Sequence, residues 1–329
     1  MIYIIDHSTD PQWNLATEEY LFKEFKQPIF RLWRNDASII VGLHQNAYAE
    51  INVEYVRKNN IPVVRRLSGG GAVFHDLGNV NFTFIDNRNQ SEDTASMFAR
   101  FTRPILEAMA ELGIKANLEG RNDLVIDGKK FSGNAVAVYK NRILQHGTLL
   151  FSASMNNLSM ALADREVNFT GKAVKSNRAR VTNICEHLPK SMTVEEFILF
   201  LEKFITDKGK GSFTRYNYTP EDLAAIARLK LERYGRDEWN YGSSPSYGYS
   251  KVCRFPAGLL ELYMEVDKGI IKDLKFYGNY FFLKETTEIE EHLKGCEHLR
   301  DKIEERIQKI NLSDYFQNIS GEEFLSLFD

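Results

Sequence analysis

The sequence predicts an α+β fold with a mixed or largely antiparallel sheet. Short β-rich runs and amphipathic helical runs are interspersed along the 329 residues, and they do not alternate regularly. Tight turns such as Asp127-Gly128 join neighbouring β-rich runs, which is typical of antiparallel hairpins. The chain is also longer than one compact domain usually is, so we expect a large domain and a smaller one.

The first part of the chain begins with a strand and a helix. Ile2–Ile5 is short and β-rich, and Asp10-Pro11 then supplies an N-cap and a proline for the first helical position. Apolar residues at helical spacing follow, so the pattern predicts a helix over about 11–25 and a shorter one over about 52–59. The other β-rich runs of this part predict four strands: Ile29–Trp33, Ser38–Val41, Pro62–Arg66 and Val80–Ile85.

The middle of the chain predicts one long helix, two hairpins and two more helices. Residues 94–112 carry apolar side chains on one face and end at Gly113, as an amphipathic helix does. The first hairpin joins Leu124–Ile126 to an arm that begins near Lys130. The second hairpin and the two helices follow in chain order: Ala135–Tyr139 with Ile143–Phe151, about 193–206, and about 220–233.

A domain boundary is expected in residues 236–249, which are polar, aromatic and rich in Gly, Ser and Pro. We place the division after residue 244, so that the two domains are 1–244 and 245–329. The second domain should be a small α+β unit. Its predicted elements are a hairpin of Gly258–Val266 and Ile270–Phe276 and helices over about 286–293, 298–309 and 321–328.

Composition argues against several classes of protein. The 42 Lys and Arg residues and 45 Asp and Glu residues give a formal net charge of -3, whereas a chain that wraps nucleic acid is normally basic. Cys185, Cys253 and Cys296 form no C-x-x-C pair, so neither a disulfide framework nor a zinc site is indicated. The N-terminal segment reaches Asp6 without a signal-peptide pattern, and no apolar run is long enough to cross a bilayer. We expect a cytoplasmic protein that contacts neither nucleic acid nor a membrane.

Three consecutive glycines stand in the segment Arg65–His75, which reads R-R-L-S-G-G-G-A-V-F-H. Such a loop sacrifices packing, and one reason to keep it is close approach of an anionic ligand to free backbone N–H groups. The paired arginines suit phosphate or carboxylate recognition. A wide turn with exposed arginines is the alternative. The two common nucleotide loops, G-x-x-x-x-G-K-[ST] and G-x-G-x-x-G, do not occur in the sequence.

Two further segments carry candidate cations. Lys129 and Lys130 open a strand in which only one of them can face inward, because strand side chains alternate; a solvated hairpin is the alternative. His146 begins another strand, where it either lines the same cleft or is a satisfied core histidine. The basic stretch from Arg165 to Arg180 is either a flap that orders over a polyphosphate or a solvated loop.

Taken together, four segments resemble, in order and spacing, the signature regions of lipoate–protein ligases. They are RRLSGGGAVFHDLGNVNFTF, GRNDLVIDGKKFSGNA, HGTLLF and KAVKSNRARVTNI. The resemblance extends from NLATEEYLF to the final hairpin and helices, which is nearly the whole chain. It implies a biotin ligase-like catalytic domain followed by a small accessory C-terminal domain.

The resemblance also implies roles for individual residues. Lys130, the lysine before x-S-G, is the expected catalytic residue. The expected ATP-binding residues are Arg66, Gly71, Ala72, Val73, Phe74 and Lys130. The expected lipoate-binding residues are Ser68, Gly69, Gly70, Gly71, His75, Lys130 and His146. The expected adenylate-binding loop contributes Lys172, Lys175, Arg178 and Arg180, and Asp123 is a candidate for helping to place Mg²⁺.

The activity implied by the resemblance is ATP-dependent activation of lipoate to lipoyl-AMP and transfer of the lipoyl group to a lysine. The expected acceptors are apo lipoyl domains of 2-oxoacid dehydrogenase E2 subunits and the glycine-cleavage H protein, and we expect a monomer. The nearest rival is an ATP-independent octanoyl- or lipoyl-transferase that forms a thioester on Cys185. Two more distant rivals are a biotin ligase and a noncatalytic lipoate-binding protein.

Overall fold

The computed structural model describes residues 1–89, 91–120, 122–162, 167–171, 180–208, 212–255, 258–278, 284, 286–316 and 318–329. Contacts divide the chain into two compact units. The first unit consists of Met1–Gly42, Pro62–Leu158 and Asn177–Gly235, and the second consists of Leu43–Ile61, Ser159–Ser176 and Arg236–Asp329. None of the helices in the described ranges is long and apolar enough to cross a membrane.

Fifteen strands lie within the described part of the chain, and most are short. In chain order they are β1 (Ile2–Ile5), β2 (Ile29–Trp33), β3 (Ser38–Val41), β4 (Val63–Arg65), β5 (Val73–His75), β6 (Asn79–Asn87), β7 (Ala116–Glu119), β8 (Asp123–Ile126), β9 (Lys129–Tyr139), β10 (Arg142–Leu150), β11 (Val167–Gly171), β12 (Thr214–Arg215), β13 (Tyr247–Phe255), β14 (Gly258–Asp267) and β15 (Ile270–Gly278).

Eleven α-helices accompany these strands in the same described ranges. They are α1 (Pro11–Glu24), α2 (Ala47–Glu50), α3 (Val53–Lys58), α4 (Thr94–Glu111), α5 (Met155–Ala161), α6 (Val194–Lys208), α7 (Pro220–Leu229), α8 (Asp237–Asn240), α9 (Thr287–Leu293), α10 (Arg300–Ile307) and α11 (Gly321–Leu325). Local chemistry explains where the long ones begin. The Asp10 side chain accepts hydrogen bonds from the first turn of α1, and Thr219 and Asp222 form a capping box on α7.

An eight-stranded sheet forms the centre of the first unit, in the order β12-β1-β2-β6-β10-β9-β8-β7. The β12-β1-β2 edge is parallel and the remaining pairs are antiparallel. A separate three-stranded sheet, β4-β3-β5, carries the glycine-rich segment between its β4 and β5 strands. The expected α+β class with a mixed sheet is therefore confirmed.

The two faces of the eight-stranded sheet differ in chemistry. One face bears Phe82 and Phe84 and packs against α4 and α6, forming the apolar core of this unit. The alternate positions lie on the opposite face, since successive strand side chains point to opposite sides. There the register aligns Arg31 with Thr83 and His146 across β2, β6 and β10. We call this the polar face, and it carries the candidate residue His146.

The second unit contains a four-stranded antiparallel sheet, β11-β13-β14-β15. Alternate residues of β14, from Leu260 to Val266, are buried, and with α9, α10 and α11 they form an apolar core. The hairpin predicted for this part of the chain is confirmed. The three helices are confirmed as well, although the last ends at Leu325 and continues as a 3-10 turn.

Several elements were not predicted from the sequence. β9 runs unbroken over Lys129–Tyr139, so the two predicted hairpin arms are parts of one strand. Strands also form at Val73–His75 and Ala116–Glu119, where no periodic pattern indicated them. Part of the polar stretch expected to be an interdomain linker opens β13 at Tyr247. The strand at Val73–His75 pairs with β3, which is distant in sequence, and periodicity cannot detect such a pairing.

Candidate functional site

The glycine loop, which we define as residues 67–72, is shaped around the guanidinium of Arg66. Arg66 Nε donates to Ser68 Oγ at 3.0 Å and Nη1 donates to the Ile40 carbonyl at 3.0 Å. Nη2 donates to the carbonyls of Gly69 at 2.6 Å and Gly71 at 2.8 Å. The side chain is only 6% exposed. Three of its five N–H groups therefore hold the loop closed and a fourth binds β3, so the loop conformation depends on this one residue.

Backbone geometry explains why glycines occupy this loop. Gly70 has a φ of 91°, which favours glycine. A Cβ on Gly42 would lie against the Gly70 carbonyl oxygen, well inside the closest approach that real Cβ atoms show. Within the described residues, the amides of Gly69, Gly70 and Gly71 donate no hydrogen bond. Amides of this kind are suited to binding an anion.

Two buried arginines give the base of the loop a positive charge. Arg65 is fully buried in β4 and donates to the Gly42 carbonyl at 2.9 Å. Burial lowers the pKa of Arg65 to about 10, and it has the same effect on Arg66. Both guanidiniums are still charged at neutral pH. Their field favours an anionic ligand at the loop.

A buried hydrogen-bonded chain connects the loop to the sheet and to α1. Ser68 Oγ lies 2.6 Å from His146 Nε2, and His146 Nδ1 lies 2.8 Å from Glu18 Oε2. Thr83 Oγ1 donates to Glu18 Oε1 at 2.6 Å and accepts from Trp33 Nε1 at 3.0 Å. The chain thus joins elements from distant parts of the sequence.

The carboxyl of Glu18 remains ionised in this interior. Complete burial raises its pKa, but His146, Thr83 and Arg31 together outweigh that effect and lower the pKa below its usual value. Arg31 is itself buried and ion-paired with Asp6. Glu18 is therefore a fixed negative charge beside the imidazole of His146.

His75, at the end of β5, is a neutral hydrogen-bond donor that faces the same region. Asn35 Nδ2 donates to its Nδ1 at 3.0 Å, so the proton resides on Nε2. Burial, Arg66 and His146 lower the pKa of His75 to about 3. Its Nε2 has no partner within the described residues, and neither do Asn79 Oδ1 and Asn81 Nδ2. Buried polar atoms usually find partners, so each of these three is available to a polar ligand.

The remaining predicted ATP-binding residues lead from the loop into β5. Ala72 and Phe74 are buried, and Val73 is partly exposed. Val73 pairs with Ile40 and Phe74 pairs with Ile39 on β3, so the two side chains point to opposite faces of the small sheet.

Lys130 and Asp123 form an ion pair on the polar face. Lys130 Nζ lies 2.8 Å from Asp123 Oδ1, and both side chains are about one-third exposed or less. The amine passes directly over Gly133, where an added Cβ would lie 2.9 Å from Nζ. A β-bulge at Phe131 makes this possible, because it brings Lys130 to the same face as Gly133, whereas residues three apart lie on opposite faces of a regular strand. Phe131 is fully buried and Lys129 is exposed.

The end of the basic stretch runs beside Lys130. The Arg180 carbonyl accepts from the Lys130 amide at 2.8 Å, and the Thr182 amide donates to the Lys130 carbonyl at 3.0 Å. The Arg180 side chain is exposed. The other residues predicted for the adenylate-binding loop lie outside the described residues: Lys172, Lys175 and Arg178.

Cys185 has the surroundings of a structural cysteine. Its side chain is partly buried against the apolar core of the first unit. Burial raises the pKa of the thiol, and the neighbouring Glu186 raises it further. A thiolate is the nucleophile in thioester chemistry, so this environment disfavours a transferase that uses Cys185.

Four residues of this site were not predicted from the sequence: Glu18, Thr83, Trp33 and Asn35. A signal for Thr83 was present, because N-V-N-F-T-F alternates polar and apolar positions in a strand that is buried on both faces. Glu18 lies among apolar residues on the inward side of α1. An acidic side chain at such a position needs a buried partner.

Comparison with known proteins adds to this geometry. The family model of the lipoyl protein ligase A/B catalytic domain matches residues 10–206. The model of the bacterial lipoate protein ligase C-terminus matches residues 244–328. The chain belongs to the lipoate–protein ligase family.

Individual relatives agree with this assignment. The chain is 42% identical to lipoate-protein ligase LplJ of Bacillus subtilis over 331 aligned residues, covering 99% of each protein. A crystal structure of lipoate-protein ligase A bound with ATP has a TM-score of 0.63 at 26% identity, covering 74% of this chain and 98% of that one.

Structures from Thermoplasma acidophilum are similar to the same extent. A bi-partite lipoate protein ligase, described with its E2 lipoyl domain, has a TM-score of 0.64 at 26% identity and covers 73% of this chain and 96% of its own. A lipoate protein ligase with bound lipoic acid has a TM-score of 0.63 at 26% identity, covering 73% and 98%. The expected ligase family and its fold are confirmed.

Proposed function

We propose that this chain activates lipoate with ATP to lipoyl-AMP and transfers the lipoyl group to a lysine of an acceptor domain. The observation that carries the proposal is the position of the Lys130 amine over Gly133, on the same sheet face as His146. Related ligases have been described with ATP and with lipoic acid, which supports both as substrates.

In the first step, a carboxylate oxygen of lipoate attacks the α-phosphorus of ATP and pyrophosphate leaves. Both reactants are anions, so the step requires fixed positive charge where negative charge accumulates. Lys130 would bridge the carboxylate and the α-phosphate as a compact ammonium donor. Its ion pair with Asp123 is partly exposed, so the amine can exchange that carboxylate for these groups.

The glycine loop would bind the phosphate-containing part of the substrates. We assign this contact to the amides of Gly69, Gly70 and Gly71, since within the described chain they have no acceptor of their own. Arg66 would act chiefly by holding the loop and by its charge, because four of its N–H groups already donate to the protein. The basic stretch ending at Arg180 would cover the adenylate.

Magnesium fits the proposed chemistry, although its ligands are few. The described residues contain no group of three or more His, Cys, Asp or Glu side chains that could hold a metal. Mg²⁺ commonly uses one or two carboxylates together with substrate phosphates, and Asp123 is the candidate carboxylate. A bound ion would neutralise charge on the polyphosphate.

In the second step, a lysine amine of the acceptor attacks the carbonyl carbon of lipoyl-AMP, and AMP leaves with the bonding electron pair. The amine must lose its proton before it attacks. We propose apo lipoyl domains of E2 subunits and the glycine-cleavage H protein as acceptors; the archaeal relative described with its E2 lipoyl domain supports the first of these. We further propose that the protein is a cytoplasmic monomer.

The decisive experiment compares Lys130→Ala with Lys129→Ala. Pyrophosphate release from ATP is measured with and without lipoate, and the mass of added apo-E2 domain and apo-H protein is followed. Lys130→Ala should abolish both signals, and Lys129→Ala should preserve them because that side chain is exposed. Lipoate-dependent release that persists in Lys130→Ala would overturn the residue assignment. ATP-independent transfer would overturn the ligase proposal.

A further inference from the structure

In the hydrogen-bonded series Ser68–His146–Glu18, the direction of the hydrogen bond between Ser68 and His146 depends on whether the imidazole is protonated. The three residues are 1%, 8% and 3% exposed. Both carboxylate oxygens of Glu18 accept hydrogen bonds, so His146 Nδ1 carries a proton and donates it. When the imidazole is neutral, its Nε2 can only accept, and the Ser68 hydroxyl must donate to it. The Ser68 hydroxyl proton then bonds to His146 and is not available to a ligand.

A protonated imidazole reverses this last hydrogen bond. His146 Nε2 would then donate to Ser68 Oγ, which also accepts from Arg66 Nε at 3.0 Å. A hydroxyl has two acceptor lone pairs and one donor proton. Both lone pairs of Ser68 would be used, and its O–H would be free to donate to a ligand. Ser68 therefore becomes a donor toward an anion only when His146 holds a second proton.

We propose that Glu18 and His146 are positioning residues that act through Ser68, and that an anionic substrate oxygen is bound at Ser68 together with one proton, which His146 holds. The inference rests on the proposed function, and it adds two residues and a proton to the recognition of that substrate. Lipoate and ATP both offer the group that Ser68 would bind, an anionic oxygen, as a carboxylate in lipoate and as a phosphate in ATP.

The charges around His146 support the proposal. The groups that face His146 are the carboxylate of Glu18 from α1, the guanidinium of Arg66 from the loop, and His75 from β5, which is neutral. Arg31 from β2 is neutralised by Asp6, and Arg65 adds a further positive charge at the base of the loop. An anionic oxygen bound at Ser68 would bring a negative charge beside His146, and an opposite charge nearby favours the protonated form of an imidazole.

The order serine–histidine–carboxylate also occurs in serine hydrolases, where the serine is a nucleophile. One feature assigns Ser68 to recognition in this protein. Its oxygen accepts a hydrogen bond from the cationic Arg66, which draws electron density from the oxygen and makes it a poorer nucleophile.

Isothermal titration calorimetry tests the proposal directly. Lipoate and ATP are titrated separately into the full chain at about pH 8, where an ordinary imidazole is neutral. Repeating each titration in buffers of different ionisation enthalpy gives the number of protons taken up. We expect uptake of about one proton for the ligand whose anionic oxygen binds at Ser68, and the two titrations identify that ligand. Its affinity should also fall as the pH rises, because proton uptake is linked to binding.

Variants separate this role from a merely structural one. His146→Asn and Glu18→Gln should reduce the proton uptake to near zero, while the matched control His7→Gln, at an exposed histidine, should keep it. Ligand binding without proton uptake by the unmodified protein would overturn the proposal and leave the proposed function intact. A protein that binds neither ligand would overturn both. Because the pH dependence is measured on the unmodified chain, the test does not depend on the variants folding.

Discussion

The amine of Lys130 lies 2.8 Å from the carboxylate of Asp123, and it reaches that position by crossing a glycine. Asp123 and Gly133 are register partners on β8 and β9, so a side chain that passes over Gly133 arrives at Asp123. This arrangement explains the pattern K-x-S-G at residues 130–133. Its lysine supplies the ammonium, its serine is buried, and its glycine leaves the path open.

Gly133→Ala should reduce adenylate formation with little change in stability. The new Cβ would lie 2.9 Å from both Cε and Nζ of Lys130, and these are the movable end of a flexible side chain. The lysine would be displaced while the backbone stays in place. We expect the rate of lipoate-dependent pyrophosphate release to fall by about tenfold or more, which corresponds to about 1.4 kcal/mol.

The control for this glycine is Gly321→Ala, because nothing lies within 4 Å of a Cβ at that position. Thermal unfolding of both variants is measured beside activity. A Gly133→Ala protein with normal pyrophosphate release would contradict the assigned path of Lys130.

Asp123→Asn should change catalysis more than it changes stability. The ion pair is partly exposed, and such pairs contribute only about 0–1 kcal/mol to the free energy of unfolding. The loss of the carboxylate frees Lys130 from its resting partner and removes the candidate magnesium ligand. We expect kcat for adenylation to fall and the magnesium concentration needed for half-maximal activity to rise.

Asp127→Asn is the matched control for this carboxylate. It lies in the exposed turn before β9 with a φ of 49°, a conformation that asparagine tolerates. A magnesium dependence that is identical in Asp123→Asn and Asp127→Asn would remove Asp123 from the metal site.

The resemblance of four segments identified Lys130 among the lysines, but sequence reasoning could not derive its geometry. Regular alternation would place Lys130 and Gly133, which are three residues apart, on opposite faces of the strand. The bulge at Phe131 brings them to the same face, and nothing local in K-K-F-S-G indicates it. A bulge depends on how β8 and β9 pair, so it is a property of two strands together.

Other contacts of the site also join residues that are far apart in the sequence. His146 was predicted as a site residue, but Glu18, its partner, is 128 positions away in the chain. Helix boundaries were predicted well, because capping residues such as Asp10 and Thr219 act locally. Residues 43–61 and 159–176 belong to the second unit by their contacts, which no composition shift in the sequence indicated.

Gly42→Ala should destabilise the protein through the glycine loop. The new Cβ would clash with the Gly70 carbonyl, which is backbone and cannot move away cheaply. Overpacking of this kind typically costs about 1–3 kcal/mol. We expect a lower unfolding temperature and weaker ATP binding, measured by thermal unfolding with and without ATP. Gly69→Ala, which has open space around its Cβ, should unfold at the unmodified temperature. Equal unfolding temperatures for the two variants would contradict this account of the loop.

Cys185→Ser should retain lipoate ligation. The thiol packs against the apolar core, and its pKa is raised, so it is poorly suited to form a thioester. We expect acceptor modification at close to the unmodified rate, with a modest loss of stability because a hydroxyl replaces a partly buried sulfur. Acceptor modification is measured by mass, and Cys253→Ser serves as the control for cysteine removal in the other unit. Loss of transfer in Cys185→Ser alone would revive the thioester mechanism.

The free energy of unfolding should fall as the pH is lowered below about 6.5, because His75 stays neutral in the folded protein. Burial, Arg66 and His146 lower the pKa of His75 to about 3 in the folded protein, whereas an unfolded histidine titrates near about pH 6.5. Between these values the unfolded state binds the additional proton, so the free energy of unfolding decreases as the pH falls. The slope from this residue cannot exceed about 1.4 kcal/mol per pH unit. Urea unfolding at several pH values from about 7 to 5 measures this slope.

His75→Gln should flatten the pH dependence, and the exposed-site control His7→Gln should not. Equal slopes in the two variants would mean that His75 is not the group responsible.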